Sequence, residues 1–411
     1  MEAMISRTDK KKERIAHCLL ACACVYLSGH SYAIVASSVV AVFFIAVGFA
    51  ACILLGSSRL EIPQKINVEG IFIGSIVTGA LLSYVLYSGR NMWLDPIILI
   101  SRISLAYLIT QRISFEDYAK RFGSLMTVLT IAAIIVYVLA QIGIQIPSYS
   151  YTNLIGIKNH TIWITSWTDI SAGHGSIRLS GPFWEPGLYA SMAIYGLLCE
   201  GCFSKSKPRK SVIVTLFIGI LLSQSTAGYI LAFLVITMIW LLRMKYKRAT
   251  NIIILIAFLI LYIFSDRIIE RLYALNPDIF GKLVEQNVSA NTRVFSTVAC
   301  LRIFAQEPLT GLGMSYAIDQ YNLYKPILGI DALTSTSGFM LAAFGIWGIS
   351  YTLFLCRGVF RQRRFPLSIR ILLFLVLISI VNKEPHTSII FTYILMFYLN
   401  KGGPEKTYAL H

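Results

Sequence analysis

Apolar runs separated by polar or charged joints recur along the whole chain, and twelve of them approach the length needed to cross a bilayer. They run approximately over 15–29, 33–55, 70–88, 93–110, 124–143, 184–203, 211–222, 226–242, 251–265, 336–356, 367–381 and 387–400. Several, notably 211–222, fall short of the ~20 residues of a perpendicular helix, which predicts tilt, half-spans or re-entrant segments. The pattern predicts an all-α polytopic membrane protein of about 12 transmembrane helices, with 1–411 as a single integral membrane domain. Two joints are long, 144–183 and 266–335. Loops of such length are functional or disordered. The first holds Tyr149, Tyr151, Trp163 and Trp167 among polar residues, and the second an amphipathic helical pattern over 290–306, so both are expected to be functional.

Composition narrows the class. Of 411 residues, 56% are hydrophobic and 14% charged, against about 25% charged in soluble domains. With a mean hydropathy of +0.69, this excludes soluble, disordered and secreted disulfide-scaffold classes. The net charge of +16 would suggest nucleic acid in a soluble protein; here it bears on sidedness. With the N-terminus in the cytoplasm, 25 of the 36 Lys and Arg fall on the inner side and 10 on the outer, with Arg102 inside a span. That asymmetry predicts both termini in the cytoplasm and both long loops outside. The clusters Lys205, Lys207, Arg209, Lys210 and Arg361, Arg363, Arg364 are then orientation signals facing anionic lipid, not a nucleic-acid site. Lys10, Lys11, Lys12 and Arg14 precede an apolar stretch without a convincing cleavage site, so it is taken as an uncleaved first span. The eight cysteines lie mostly in apolar segments without zinc spacing, and neither a metal nor another cofactor is predicted.

The stretch from Arg178 to Gly187 ends the first long loop and opens the sixth apolar segment. Pro186 suits a first helical turn and leaves Glu185 at the cap, where backbone N–H groups and the helix end favour an anion. Glu185 as a simple cap and Arg178 as a lipid-snorkelling cation remain open at this point. In the second loop, Arg293 and Arg302 are nine residues apart and therefore on opposite helix faces. Arg293 shares a stripe with Thr297, Cys300 and Phe304, which makes it the buried cation and Arg302 a headgroup or partner contact. His160 and His174 are alternative bases. Lys383, Glu384 and His386 belong to the last outer joint and could line the same cavity. Asp95 and Arg102, seven apart, suggest an ion pair on one helix.

An ordered set of motifs then carries a resemblance. Arg178 with Gly181 and Glu185-Pro186, Leu222 to Ala227, Arg293 leading to Pro308-Leu-Thr-Gly311-Leu-Gly313, and Gly345-Ile-Trp-Gly348 resemble the O-antigen ligase and polymerase superfamily. The resemblance covers roughly 175–350 together with the topology. Ligases of that superfamily carry a His-Asn pair where this chain has Asp331-Ala-Leu-Thr334-Ser-Thr-Ser-Gly338, so the O-antigen polymerase branch, Wzy, is the better match. The resemblance implies an enzyme of the bacterial inner membrane in lipopolysaccharide biosynthesis, a glycosyltransferase joining undecaprenyl-diphosphate-linked oligosaccharide repeat units on the periplasmic face.

For such a reaction the leaving diphosphate is a stable anion, so cations can replace a general acid and neither metal nor nucleotide is needed. Arg178 and Arg293 are expected to hold it, with Glu185 as the base for the acceptor hydroxyl. Arg302, His174, Trp163, Trp167, Lys383 and His386 are expected to bind substrate. The implied partners are the lipid-linked donor and acceptor, membrane lipid and a chain-length regulator. Competing readings are a ligase acting on lipid A core and a polysaccharide or lipid-linked sugar flippase; the absence of two related halves weighs against the flippase.

Overall fold

The computed structural model describes residues 7–32, 37–56, 67–152, 158–162, 164–169, 177–204, 206–243, 287–330 and 332–401. The apolar segment at 251–265 and the sequence candidates Trp163 and His174 lie outside them. The described chain is mostly helical: α1 Arg7–Tyr26, α2 Ser37–Leu54, α3 Val68–Leu86, α4 Leu94–Arg112 and α5 Phe115–Gln141 precede a small sheet. After it come α6 Pro186–Leu198, α7 Lys210–Leu222, α8 Thr226–Arg243, α9 Asn287–Phe304, α10 Met314–Leu328, α11 Thr336–Phe344, α12 Ile349–Phe360, α13 Leu367–Val381 and α14 Ile390–Lys401. Five helical stretches among the described residues are long and apolar enough to cross a membrane: α3, α4, α5, α8 and the broken run Thr336–Phe360.

Burial sorts the helices into an inner and an outer set. Every residue of α6 is buried, and so is every residue of α14 from Ile390 to Asn400. A helix that is apolar all round is stable only when other helices surround it, and α6 packs against α5, α7 and α8 while α14 packs against α4 and α12. By contrast, α3, α5 and α8 bury about a third of their length and expose Leu81, Val85, Val128, Ile135, Ile230 and Phe233.

The expectation of an all-α fold is corrected in the first long loop. Residues 149–181 carry a four-stranded antiparallel sheet in the order β1 Tyr149–Thr152, β2 Lys158–Ile162, β3 Thr165–Asp169, β4 Ile177–Gly181. Its runs of four or five residues, rich in Thr, Tyr, Trp and Ile, fit a pleated, half-buried surface; they are too short for the helical period to show. The inner strand β3 is buried over Thr165–Thr168, and β4 packs on α5 and α6.

Two sequence motifs turn out to be backbone docking devices. The run Thr336–Phe360 is broken by a 3-10 turn at Gly345–Gly348, and the loop before α10 lies against that break. Leu312 and Gly313 N–H donate to the Ala342 and Ala343 carbonyls at 3.0 and 2.8 Å, and Ile346 N–H donates to Pro308 O at 2.7 Å. A Cβ on Gly311 would sit 2.4 Å from Ala343 O and Gly345 N, so the close approach requires glycine.

The second loop is helical where described. On α9 the buried face is Thr292, Ser296, Ala299, Cys300 and Ile303, a stripe of mostly small side chains that lets α11 approach. Two expected charge roles change. Asp95 does not pair with Arg102: its Oδ2 accepts from Ser315 Oγ of α10 at 2.8 Å, since seven residues separate the two ends by about 10 Å along a helix. Arg209 is not free to face lipid, because its guanidinium is committed to the buried Glu200 in the π-helical turn Cys199–Phe203, with nitrogens 2.7 and 3.0 Å from the carboxylate.

Candidate functional site

The chain turns sharply from β4 into α6. Gly181 has φ +58, and a Cβ there would lie 2.5 Å from the Tyr189 ring. The segment is fixed from outside: Phe183 bridges to His30, Trp184 N–H donates to Gly29 O at 3.1 Å, and Ser166 Oγ donates to Phe183 O at 2.7 Å. Pro186 then starts α6 and Glu185 occupies the cap position with extended backbone. Its side chain makes no capping hydrogen bond. The cap reading of Glu185 is thereby set aside, and the carboxylate is available elsewhere.

It is used against a second carboxyl. Glu185 and Glu384 both lie over Gly187: a Cβ there would be 2.4 Å from Glu384 Oε1 and 3.0 Å from Glu185 Oε1. The adjacent Lys383 is buried, and its ammonium donates to Gly187 O at 2.9 Å and to Ser225 Oγ at 3.0 Å. Thus the joint between α13 and α14 is stitched to the first turn of α6 and to the start of α8.

Arg178 reaches the same place from β4. Its Nε donates to Ser223 O and a terminal nitrogen to Gln224 O, each at 3.1 Å, so the snorkelling reading is set aside as well. Charge coupling extends from Arg178 to Glu185 and Glu384, and from Arg293 of α9 to Lys383 and Glu384. Arg178 and Glu185 of one stretch and the distant Arg293 therefore join one electrostatic cluster with Lys383 and Glu384. Burial lowers the pKa of Arg178 and brings Lys383 down to about 8, while burial and the neighbouring Glu185 hold Glu384 well above the ordinary carboxylate range.

The loop that carries this cluster is held by the stretch before α11. Asn382 Oδ1 accepts from Ser335 Oγ and Ser337 N–H at 3.2 and 3.0 Å; Thr336 Oγ1 donates to Glu384 O and accepts from His386 N–H at 2.7 Å. The hydroxyls of Ser335 and Thr336 thus serve as scaffold for this loop.

The remaining candidates separate. His386 is fully buried, with Nδ1 2.8 Å from Thr392 Oγ1 and its ring edge-on to Tyr195; burial pushes its pKa down to about 3. It is a neutral interior residue and not a substrate contact, because a joint of so few residues has to fold inward to bring Glu384 over α6. Trp167 is likewise corrected: at 7% exposure and stacked on His160 at 5.0 Å, its ring serves the sheet and offers no face to a sugar. His160 is engaged by Asp169 at 2.9 Å and Ser150 at 2.8 Å, which ties three strands together. Arg302 is exposed. Glu384 was expected only to line the cavity beside Lys383 and His386, although it shares with Glu185 a discernible signal: a glutamate directly before a proline at the start of an apolar segment.

No family model, curated protein or solved structure matches the chain. What the fold defines is a class: a mostly helical protein with, among the described residues, five helices long and apolar enough to cross a membrane.

Proposed function

We propose that the chain is an inner-membrane polysaccharide polymerase that joins undecaprenyl-diphosphate-linked oligosaccharide repeat units at the periplasmic face. The observation that supports this most is the cluster itself: Lys383 sits on the first turn of α6 beside Glu185 and Glu384, with Arg178 and Arg293 within electrostatic reach. Three cations against two carboxyls leave a positive site, complementary to a diphosphate. In this reading twelve spans, including the shorter α2, α7 and α13, put both termini in the cytoplasm and the sheet outside.

The chemistry follows from the residue types. The acceptor sugar hydroxyl gives its proton to the Glu185 carboxylate, and its oxygen bonds to the anomeric carbon of the donor. The bond from that carbon to the diphosphate oxygen breaks, and the electron pair leaves with the diphosphate. Arg178, held by two carbonyls, and Arg293 balance the developing charge without having to reorganise. The exposed apolar faces of α3, α5 and α8 suit lipid, which also delivers a polyprenyl-linked substrate.

The test is the surface polysaccharide of a deletion strain, with purified protein supplied with lipid-linked repeat units. A single repeat on the lipid A core and chain extension in vitro are the expected results. Bare core would make the protein a ligase, and loss of outer-leaflet intermediates would make it a flippase.

A further inference from the structure

Two carboxyl groups set over the same glycine repel when both are ionised, because carboxylates are acceptors only; one proton between them turns the repulsion into a hydrogen bond. The geometry decides which group holds that proton. Glu384 is 8% exposed, whereas Glu185 is only partly buried, and the ionised form is costlier where less water reaches it. Two of the nearby cations spend their hydrogen bonds elsewhere: Lys383 donates to Gly187 O and Ser225 Oγ, and Arg178 to the carbonyls of Ser223 and Gln224. Among the described residues no ion pair reaches Glu384. The other titratable groups facing the pair are Arg293 of α9 and Tyr151 of β1.

We propose that Glu384 is a neutral carboxylic acid whose O–H donates to the Glu185 carboxylate, which makes it the positioning residue of the base. The inference rests on Glu185 being that base. The arrangement does two things. It orients one Glu185 oxygen, and it leaves the other toward the acceptor hydroxyl whose proton it takes. The absence of a side chain at Gly187 provides the space in which the two carboxyls meet.

Two measurements separate this proposal from the function it rests on. Infrared difference spectra of the purified full chain across a pH step report protonated carboxyl groups whether or not it is an enzyme. A protonated carboxyl band present in wild type and in Glu185→Gln, and lost in Glu384→Gln, is the expected result. Persistence of the whole band in Glu384→Gln overturns the proposal.

In the extension assay, Glu384→Gln keeps a donor and should stay within about tenfold of wild type. Glu185→Gln should lose about 10² to 10⁴. Glu384→Ala should lose activity, a loss that the donor retained in Glu384→Gln rescues. An inactive Glu384→Gln beside an active Glu185→Gln would reverse the roles and overturn the assignment. If wild type extends no chains while the band behaves as expected, the polymerase reading falls and the carboxyl pair stands.

Discussion

A terminal nitrogen of Arg178 donates to the backbone carbonyl of Gln224 at 3.1 Å, and Gln224 has φ 49, the one left-handed residue other than glycine among those described. A left-handed backbone costs a side-chain-bearing residue about 1–2 kcal/mol, yet it turns consecutive carbonyls of the α7 to α8 turn toward one guanidinium. Gln224→Gly should therefore keep polymer synthesis near the wild-type level. Gln224→Pro, whose ring fixes φ near −65°, should abolish it. A ladder of polysaccharide on gels from complemented deletion strains reads both.

Replacing Arg178 by Lys should rescue only a small part of what Ala removes. A lysine is a single point donor and cannot span the carbonyls of Ser223 and Gln224 while facing a phosphate. Normal polymer in Arg178→Ala, at equal protein level, would take this residue out of the mechanism.

Arg293→Ala should be severe and Arg302→Ala mild. Arg293 is half-buried and electrostatically linked to Lys383 and Glu384, whereas Arg302 is exposed. Equal loss in the two variants would mean that α9 works through its exposed face.

Gly187→Ala separates folding from chemistry. Alanine gains up to about 1 kcal/mol of helix propensity over glycine, but its Cβ would fall 2.4 Å from Glu384 Oε1. The carboxylate ends can move aside, so the protein should reach the membrane in normal amount. Displacing reacting groups by about an ångström costs on the order of 100-fold, and chain extension should fall by that order.

The pH dependence assigned to Lys383 has opposite signs for stability and activity. Its folded pKa of about 8 lies below the ordinary lysine value of about 10.4, so the unfolded chain binds more protons between the two. The cost of burying its charge is present in full below about pH 8 and is relieved as pH rises through that window. Activity, which uses the charge, should fall along an alkaline limb near pH 8. Lys383→Met should remove the limb and leave a low plateau, which a rate profile with parallel melting curves would show.

What the sequence determined by itself is the class and the chemistry-bearing residue types. Apolar runs with 14% charged residues require buried or lipid-facing helices, and the stretch from Arg178 through Pro186 marks where the first long loop enters an apolar segment. Local chemistry could also place Glu185 at a helix start, because proline and cap preferences act within a few residues. Whether the glutamate caps that helix was a different matter. Its carboxylate turns to Glu384, 199 positions along the chain, and no local rule reaches that far.

Tertiary structure likewise decided that Lys383 and Arg293 join the cluster, that His386 and Trp167 are interior residues, and that the first long loop is a sheet. Each depends on which surfaces exclude water, a property of packed elements and not of a residue's neighbours in sequence. The same reason fixes the proton between Glu185 and Glu384. Two glutamates are equivalent as letters and differ only once one of them is covered.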